Sequence, residues 1–347
     1  MKEKIRILYV GYHSETLLLL CGDTRFDVIG VGLIDEFLSG GTSTTNPVNA
    51  FFKLIYGLRC GNKYRLLERI LLRLWKLISR FSSSFYYRYS DYLKALSEAR
   101  REVVDVSNTS AIIDFIQLNR IDLMVVSAWS ILPDEIVTLP KYGTINIHPS
   151  KLPQYRGALP TLWSLKNNDT ESAVTYLMMD KVIDGGAIIG QHAFPIGSDD
   201  DCYSLEDKVN EILRATLLSD LERYVAGEIK PVAQDMHISS NTDKYYEYMK
   251  IDWGTENGTA IYNKINLYPF LVPEDYCYTL LNGRKIIIKK AVCIDIPATS
   301  AQSGQYHVHG RTLMIQAKSG VIASRLFSGI RFKESIFLFL RRKGNFI

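Results

Sequence analysis

Gly143-Thr144-Ile145-Asn146-Ile147-His148-Pro149-Ser150 reads as a β-strand that stops at a proline. Side chains two apart in a strand share a side, so Asn146 and His148 project together while Ile145 and Ile147 face the other way. Pro149 lacks the N–H that a ladder needs and closes the strand. A carboxamide and an imidazole therefore meet at a strand's carboxyl end, where open α/β sheets place their ligands. From these residues alone two readings stand: a catalytic pair, or a hydrogen-bonded pair in a buried turn.

The flanking pattern fits such a sheet. Ile5 to Val10 and Phe26 to Val31 are short apolar runs separated by the helix-compatible Ser14 to Cys21, a β-α-β opening. The run Ile121 to Ser127 follows a helical pattern over Ser110 to Leu118, and Gly143 to Ile147 supplies the next strand. Strands that alternate with helices predict an α/β, doubly wound (Rossmann-like) parallel sheet. Ser198-Asp199-Asp200-Asp201 suits a helix N-terminus in preference to a metal site, and the helix continues through Leu205, Val209, Leu213, Leu217 and Leu221. After a polar linker, Ser239-Ser240-Asn241-Thr242, the chain turns to short extended runs. Asn282-Gly283 between two of them signals a hairpin, and a small β-barrel-like domain is expected. The expected division is residues 1–236 and 237–347.

One stretch departs from this plan. Residues from about 38 to 101 are an insertion whose Tyr64–Phe81 segment predicts an amphipathic helix, with Arg65, Arg69, Arg73, Lys76 and Arg80 in one basic stripe. Packing on the protein or a second subunit is the favoured role for its apolar side; contact with an anionic membrane surface or tRNA is the alternative.

The chain has 347 residues, 47% hydrophobic and 22% charged, with mean hydropathy −0.02. These are values of a soluble protein of about two domains. The opening segment is broken by Glu3, Arg6, His13 and Glu15 and reads as a strand, not a leader. Five scattered cysteines form no CxxC, so a reducing cytoplasm is the expected compartment. Net charge is +4, but by segment it runs −2 over 1–49, +9 over 50–101, −10 over 102–236 and +7 over 237–347. The phosphate-loop, dinucleotide and nucleophile-elbow patterns are missing from the sequence, which disfavours nucleotide-driven, hydride-transfer and serine-hydrolase chemistry. His307 and His309 lack further ligands nearby, and no metal is expected. His13, His192 and His237 stand alone and read as structural or surface residues.

The residues beyond the strand decide between the two readings of the pair. Ser150-Lys151-Leu152-Pro153-Gln154-Tyr155-Arg156-Gly157 and then Met179-Asp180-Lys181-Val182-Ile183-Asp184-Gly185-Gly186 complete an Asn-x-His-x-Ser, Leu-Pro-x-Tyr-Arg-Gly, Asp-x-Gly series. In this the chain resembles the folate-dependent formyltransferase family. The resemblance extends to Ile251-Asp252-Trp253, Asn282-Gly283 and Ile287 to Ala291, which are similar to the family's C-terminal barrel domain. It implies that Asn146, His148 and Asp184 are the catalytic triad and that 10-formyltetrahydrofolate is the formyl donor, with no metal. The residue types suit this chemistry. A histidine accepts the amine proton, an uncharged amide N–H meets the developing oxyanion, and a carboxylate orients the imidazole and favours its charged form.

The resemblance also places the pterin beside Ser127, Ala128, Trp129 and Ile131, and beside the loop holding Asp180, Ile183 and Gly185. Gly185 and Gly186 are expected to let that loop approach the folate closely. Trp129 is larger than expected here and either shapes a pocket or packs. For the acceptor, the run Gly186 to Gln191 resembles the sugar-modifying branch, which implies a nucleotide-linked amino sugar, such as a dTDP-sugar destined for cell-surface polysaccharide. Ser150, Lys151 and Arg156 are the expected acceptor-binding residues, the last two on the sugar's pyrophosphate. The competing acceptor is charged initiator tRNA, as in methionyl-tRNA formyltransferase, supported by the basic segments. A homo-oligomer stays open.

Overall fold

The computed structural model describes residues 3–11, 13–33, 101–106, 108–127, 132–197, 200–238, 248–266, 277–288, 290–294, 302–326, 330, 335, 338, 340–341 and 343–345. The insertion with its basic stripe, and Ala128, Trp129 and Ile131, lie outside them. The chain divides into two compact units. The first contains residues 1–160, 171–195 and 206–241; the second contains 161–170, 196–205 and 242–347.

The first unit is built on seven strands: β1 (Ile5–Gly11), β2 (Phe26–Leu33), β3 (Glu102–Asp105), β4 (Leu123–Ser127), β5 (Thr144–His148), β6 (Glu171–Met178) and β7 (Ile188–Pro195). Their order is β3-β2-β1-β4-β5-β6-β7. The five strands from β3 to β5 run parallel, but β6 pairs antiparallel with β5 and with β7. The sheet is therefore mixed, which corrects the all-parallel expectation. For the β6–β7 pair the cause is local: their connection is only Met179 to Ala187 and holds no helix, whereas a parallel return needs a crossover of a dozen or more residues.

Helices α1 (Ser14–Gly22), α2 (Thr109–Leu118) and α3 (Asp134–Val137) link the parallel strands. The imidazole of His13 caps α1 by accepting from Thr16 N, and Asn108 caps α2 by accepting from Ala111 N at 3.1 Å. Strand β1 is buried on both faces. Leu8 and Val10 join Ile112, Phe115, Ile116, Met124 and Ile136 in one core cluster, and Ile7 and Tyr9, facing the other way, are equally inaccessible. The strand order reverses direction between β1 and β4, and there the carboxyl ends meet at Gly11 and Ser127. Gly11 has φ +141°, and a Cβ on it would lie 2.5 Å from the Ser127 carbonyl oxygen, so only glycine fits. The Tyr9 hydroxyl bonds the Ser127 hydroxyl, and burial pushes that phenol well above its ordinary pKa.

Helix α4 (Pro160–Lys166) and helix α5 (Cys202–Val225) follow β5 and β7. Asp201 starts α5 by accepting from Ser204 N at 2.9 Å, the capping role expected of the aspartate run. Its buried Leu205, Val209, Leu213, Leu217 and Leu221 recur every four residues along one face.

In the second unit, α6 (Gly258–Asn266) accompanies two antiparallel sheets. Strands β8 (Tyr278–Leu281) and β9 (Arg284–Ile287) form the hairpin on Asn282-Gly283, both residues at positive φ as the turn requires. The other sheet has the order β10-β13-β12-β11-β14, made of β10 (Val292–Ile294), β11 (Gln305–His309), β12 (Thr312–Gln316), β13 (Val321–Arg325) and β14 (Lys343–Asn345). Among the described residues these are separate sheets of five and two strands. Leu313, Ile315, Ile322, Ile261 and Ile265 are fully buried, and Trp253 Nε1 donates to Thr279 Oγ1 at 2.8 Å. Among the described residues no helix is long and apolar enough to cross a membrane.

Candidate active site

Strand β5 is buried along its whole length, and its alternation brings Asn146 and His148 to one side at its carboxyl end, as the sequence pattern requires. Both are inside the protein, at 6% and 5% exposure. The β6–β7 connection lays Asp184 against them. Asp184 Oδ1 accepts from Asn146 Nδ2 at 2.8 Å, and Oδ2 accepts from the Gly157 N–H at 2.8 Å and stands 3.4 Å from His148 Nδ1. The three residues come together around one carboxylate.

The remaining contact of the imidazole assigns its tautomer. His148 Nε2 lies 2.9 Å from the Tyr155 carbonyl oxygen, which can only accept, so Nε2 carries the hydrogen. In the neutral ring Nδ1 is then the unprotonated nitrogen, facing the Asp184 carboxylate. A proton arriving at Nδ1 completes an ion pair with Asp184. Asn146 gives one amide hydrogen to Asp184 and retains the other, and its Oδ1 is buried with no hydrogen-bond partner.

The two loops that hold this arrangement are tightly specified. In the loop after β5, Ser150 N donates to His148 O and the Ser150 hydroxyl donates to Gln154 O at 2.9 Å. Thr175 Oγ1 donates to Ser150 O at 2.6 Å, and Gln191 Nε2 donates to Leu152 O at 2.9 Å. His148, Thr175 and Gln191 are register partners across β5, β6 and β7, so one cross-strand row carries the imidazole and the loop's supports. In the other loop, a Cβ on Gly186 would fall 1.8 Å from the Met178 carbonyl oxygen. That glycine is needed for the chain's own close approach, which gives a reason internal to the protein where the sequence reading looked to the folate.

The other expected site residues are distributed unevenly. Ser127 ends β4 and Asp180 Oδ1 accepts from Val182 N at 2.8 Å, shaping the turn before Asp184. Ile183, beside Asp184, presents 56% of its surface, an exposed apolar side chain at the edge of the site. Gly185 closes the turn by donating to Val182 O. Ser150 is fully buried and its hydroxyl donates to Gln154 O, which shapes the loop. Lys151 is exposed and ion-paired with Glu171. Arg156 Nη1 approaches Met236 Sδ at 3.0 Å. The sequence reading missed Thr175, the carbonyl of Tyr155, the amide of Gly157 and Gln234. It noted Gln191 only as part of a run. Backbone groups leave no signature in a sequence, but Thr175 and Gln191 follow from the period-two rule once β6 and β7 are aligned with His148.

Residues 93–220 match the formyl transferase family. A methionyl-tRNA formyltransferase of Geobacter sulfurreducens is 32% identical over 208 residues, 58% of this chain and 62% of that protein. The match thus spans less than two thirds of that relative's length. A methionyl-tRNA formyltransferase of Fusobacterium nucleatum is 31% identical over 215 residues, 61% of this chain and 68% of that protein. Among solved structures, WlaRD, a sugar 3N-formyltransferase crystallised in the presence of dTDP and 5-N-formyl-THF, superposes with a TM-score of 0.53 over 94% of this chain and 99% of its own, at 17% identity, a likeness of fold. The family match over residues 93–220 contains Asn146, His148 and Asp184, and the identity and reach of the Fusobacterium match establish that this chain belongs to the folate-dependent formyltransferase family.

Proposed function

We propose that this protein is an N-formyltransferase that moves the formyl group of 10-formyltetrahydrofolate to an amine, with Asn146, His148 and Asp184 as the reacting constellation. The observation that carries the reading is the single carboxylate of Asp184, which meets both the Asn146 amide and His148 Nδ1. The amine lone pair attacks the formyl carbon, and the retained Asn146 N–H donates to the oxygen as it becomes negative. The amine proton passes to His148 Nδ1, where Asp184 compensates the new charge. The C–N10 bond then breaks, and N10 of the folate takes up the proton held on His148 as it leaves, which returns the imidazole to its neutral form. Exposed Val182 and Ile183 offer apolar surface for the folate's pterin next to the reacting groups. The cluster is nearly solvent-free, which strengthens each of these interactions.

The acceptor in this proposal is a nucleotide-linked amino sugar, supported by the run Gly186 to Gln191 and its likeness to the sugar-modifying branch. A second reading, the aminoacyl group of initiator tRNA, is favoured by the names of the curated relatives. Purified protein given 10-formyltetrahydrofolate with a panel of nucleotide amino sugars, and separately with charged initiator tRNA, tests both. Formylation of a sugar is expected. Formylation of the tRNA alone would replace the first acceptor by the second, and no transfer to any amine would overturn the reaction itself.

A further inference from the structure

Asp184 occupies an unfavourable backbone conformation. Its φ is +48°, in the left-handed region that disfavours a residue with a Cβ and persists where neighbours impose it. The carboxylate's own bonds, to Asn146 and to Gly157, fix the side chain but not the peptide. The peptide is held from elsewhere. Gln234 Nε2 donates to the Asp184 carbonyl at 2.9 Å and to the Gly186 carbonyl at 2.7 Å, so both hydrogens of one amide grip the two carbonyls that straddle Gly185.

Gln234 is itself anchored. Two residues earlier, Val232 exchanges both backbone hydrogen bonds with Ile188, the first residue of β7, each at 2.8 Å. The segment that carries Gln234 is thereby tied to the strand that leaves the Asp184 loop. Gln234 Oε1 is buried without a partner, and rotating the amide to satisfy it would aim an oxygen at two carbonyl oxygens. The orphaned acceptor is retained because both facing groups require a donor. Gln234 lies past residue 220, where the match to the family ends.

We propose that Gln234 is a positioning residue for formyl transfer. Its carboxamide holds the Asp184–Gly186 peptides so that the Asp184 carboxylate stays on Asn146, on the Gly157 N–H and against His148 Nδ1. This rests on the reading of Asp184 as a member of the reacting constellation. Gln234→Glu keeps the shape and removes the donors at neutral pH; Gln234→Met keeps the length without charge. For both, kcat should fall about 10- to 100-fold, as expected when reacting groups lose their alignment, with KM for donor and acceptor within about twofold. Hydrogen exchange should quicken in peptides covering 153–160 and 182–187, because the Gly157 amide loses its fixed acceptor, while β1, β4 and β5 exchange as in the unaltered protein.

Unchanged turnover in both variants would overturn the proposal. So would loss of activity accompanied by faster exchange throughout the sheet, or failure of both variants to fold, since either marks a general structural role. Asp184→Asn is the control for the underlying reading. If that variant turns over normally the constellation itself is wrong, whereas an inactive Asp184→Asn beside fully active Gln234 variants removes only the positioning role.

Discussion

His148 Nδ1 and the second hydrogen of Asn146 Nδ2 are the two groups the cluster leaves for chemistry, since Nε2 is spent on Tyr155 O and the first amide hydrogen on Asp184. Their roles differ, and substitutions should separate them. Asn146→Ala removes a donor whose bond strengthens only as the oxyanion forms, so turnover should drop by about 10²–10³ with acceptor affinity nearly unchanged. A large rise in KM at normal kcat would contradict that role. Asp184→Asn keeps the shape but removes the charge that stabilises an imidazolium, and turnover should fall at least as far while the protein stays folded. Gly186→Ala makes a different demand. Its Cβ would fall 1.8 Å from the Met178 carbonyl oxygen, backbone that cannot swing aside, so the Asp184 loop must move. Activity should be lost at near-normal secondary structure; a fully active Gly186→Ala protein would show that the loop has freedom the contacts deny it.

Among the strands and loops, β5 is one member of a row. Thr175 on β6 donates to Ser150 O and accepts from Gln191 of β7, whose same Nε2 also holds Leu152 O. Thr175→Val preserves volume but removes one of the two donors to the Ser150 carbonyl, leaving only the Leu152 N–H at 3.1 Å, an expected cost of about 0.5–1.5 kcal/mol. The loop it releases carries Tyr155 O and Gly157 N–H, so kcat should fall along with the denaturation midpoint; unchanged values of both would show the row to be incidental. The strand-end pair in this row was legible because period two and a following proline are local properties. Asp184 was legible only through the family series, since 38 residues of chain separate it from Asn146. The reading of a parallel sheet stopped at the strand ending in His148; β6 and β7 were not read as strands, and it is their short, helix-free connection that only an antiparallel pair permits. Gln234 lay in a stretch that read as an approach to a linker, and no local pattern marks a side chain that bonds two distant carbonyls.

Over the full chain, the uneven charge bears on the acceptor. Residues 102–236, which supply the candidate site, carry −10, whereas residues 50–101 and 237–347 carry +9 and +7. Within that block the excess of carboxylates over basic side chains disfavours a long polyanion. An acceptor that enters with one pyrophosphate releases few counterions, and log kcat/KM should then decline with log salt at a slope of roughly −1 to −2. A tRNA held by the basic segments would release many more and give a slope of several units. Arg65, Arg69 and Arg73 changed together to Gln distinguish the cases further, because exposed arginines without an anionic partner contribute little. With a sugar acceptor the triple change should leave the slope and kcat/KM as they were. A steep slope with charged tRNA that the triple change flattens would instead assign the basic stripe to nucleic acid and make tRNA the acceptor.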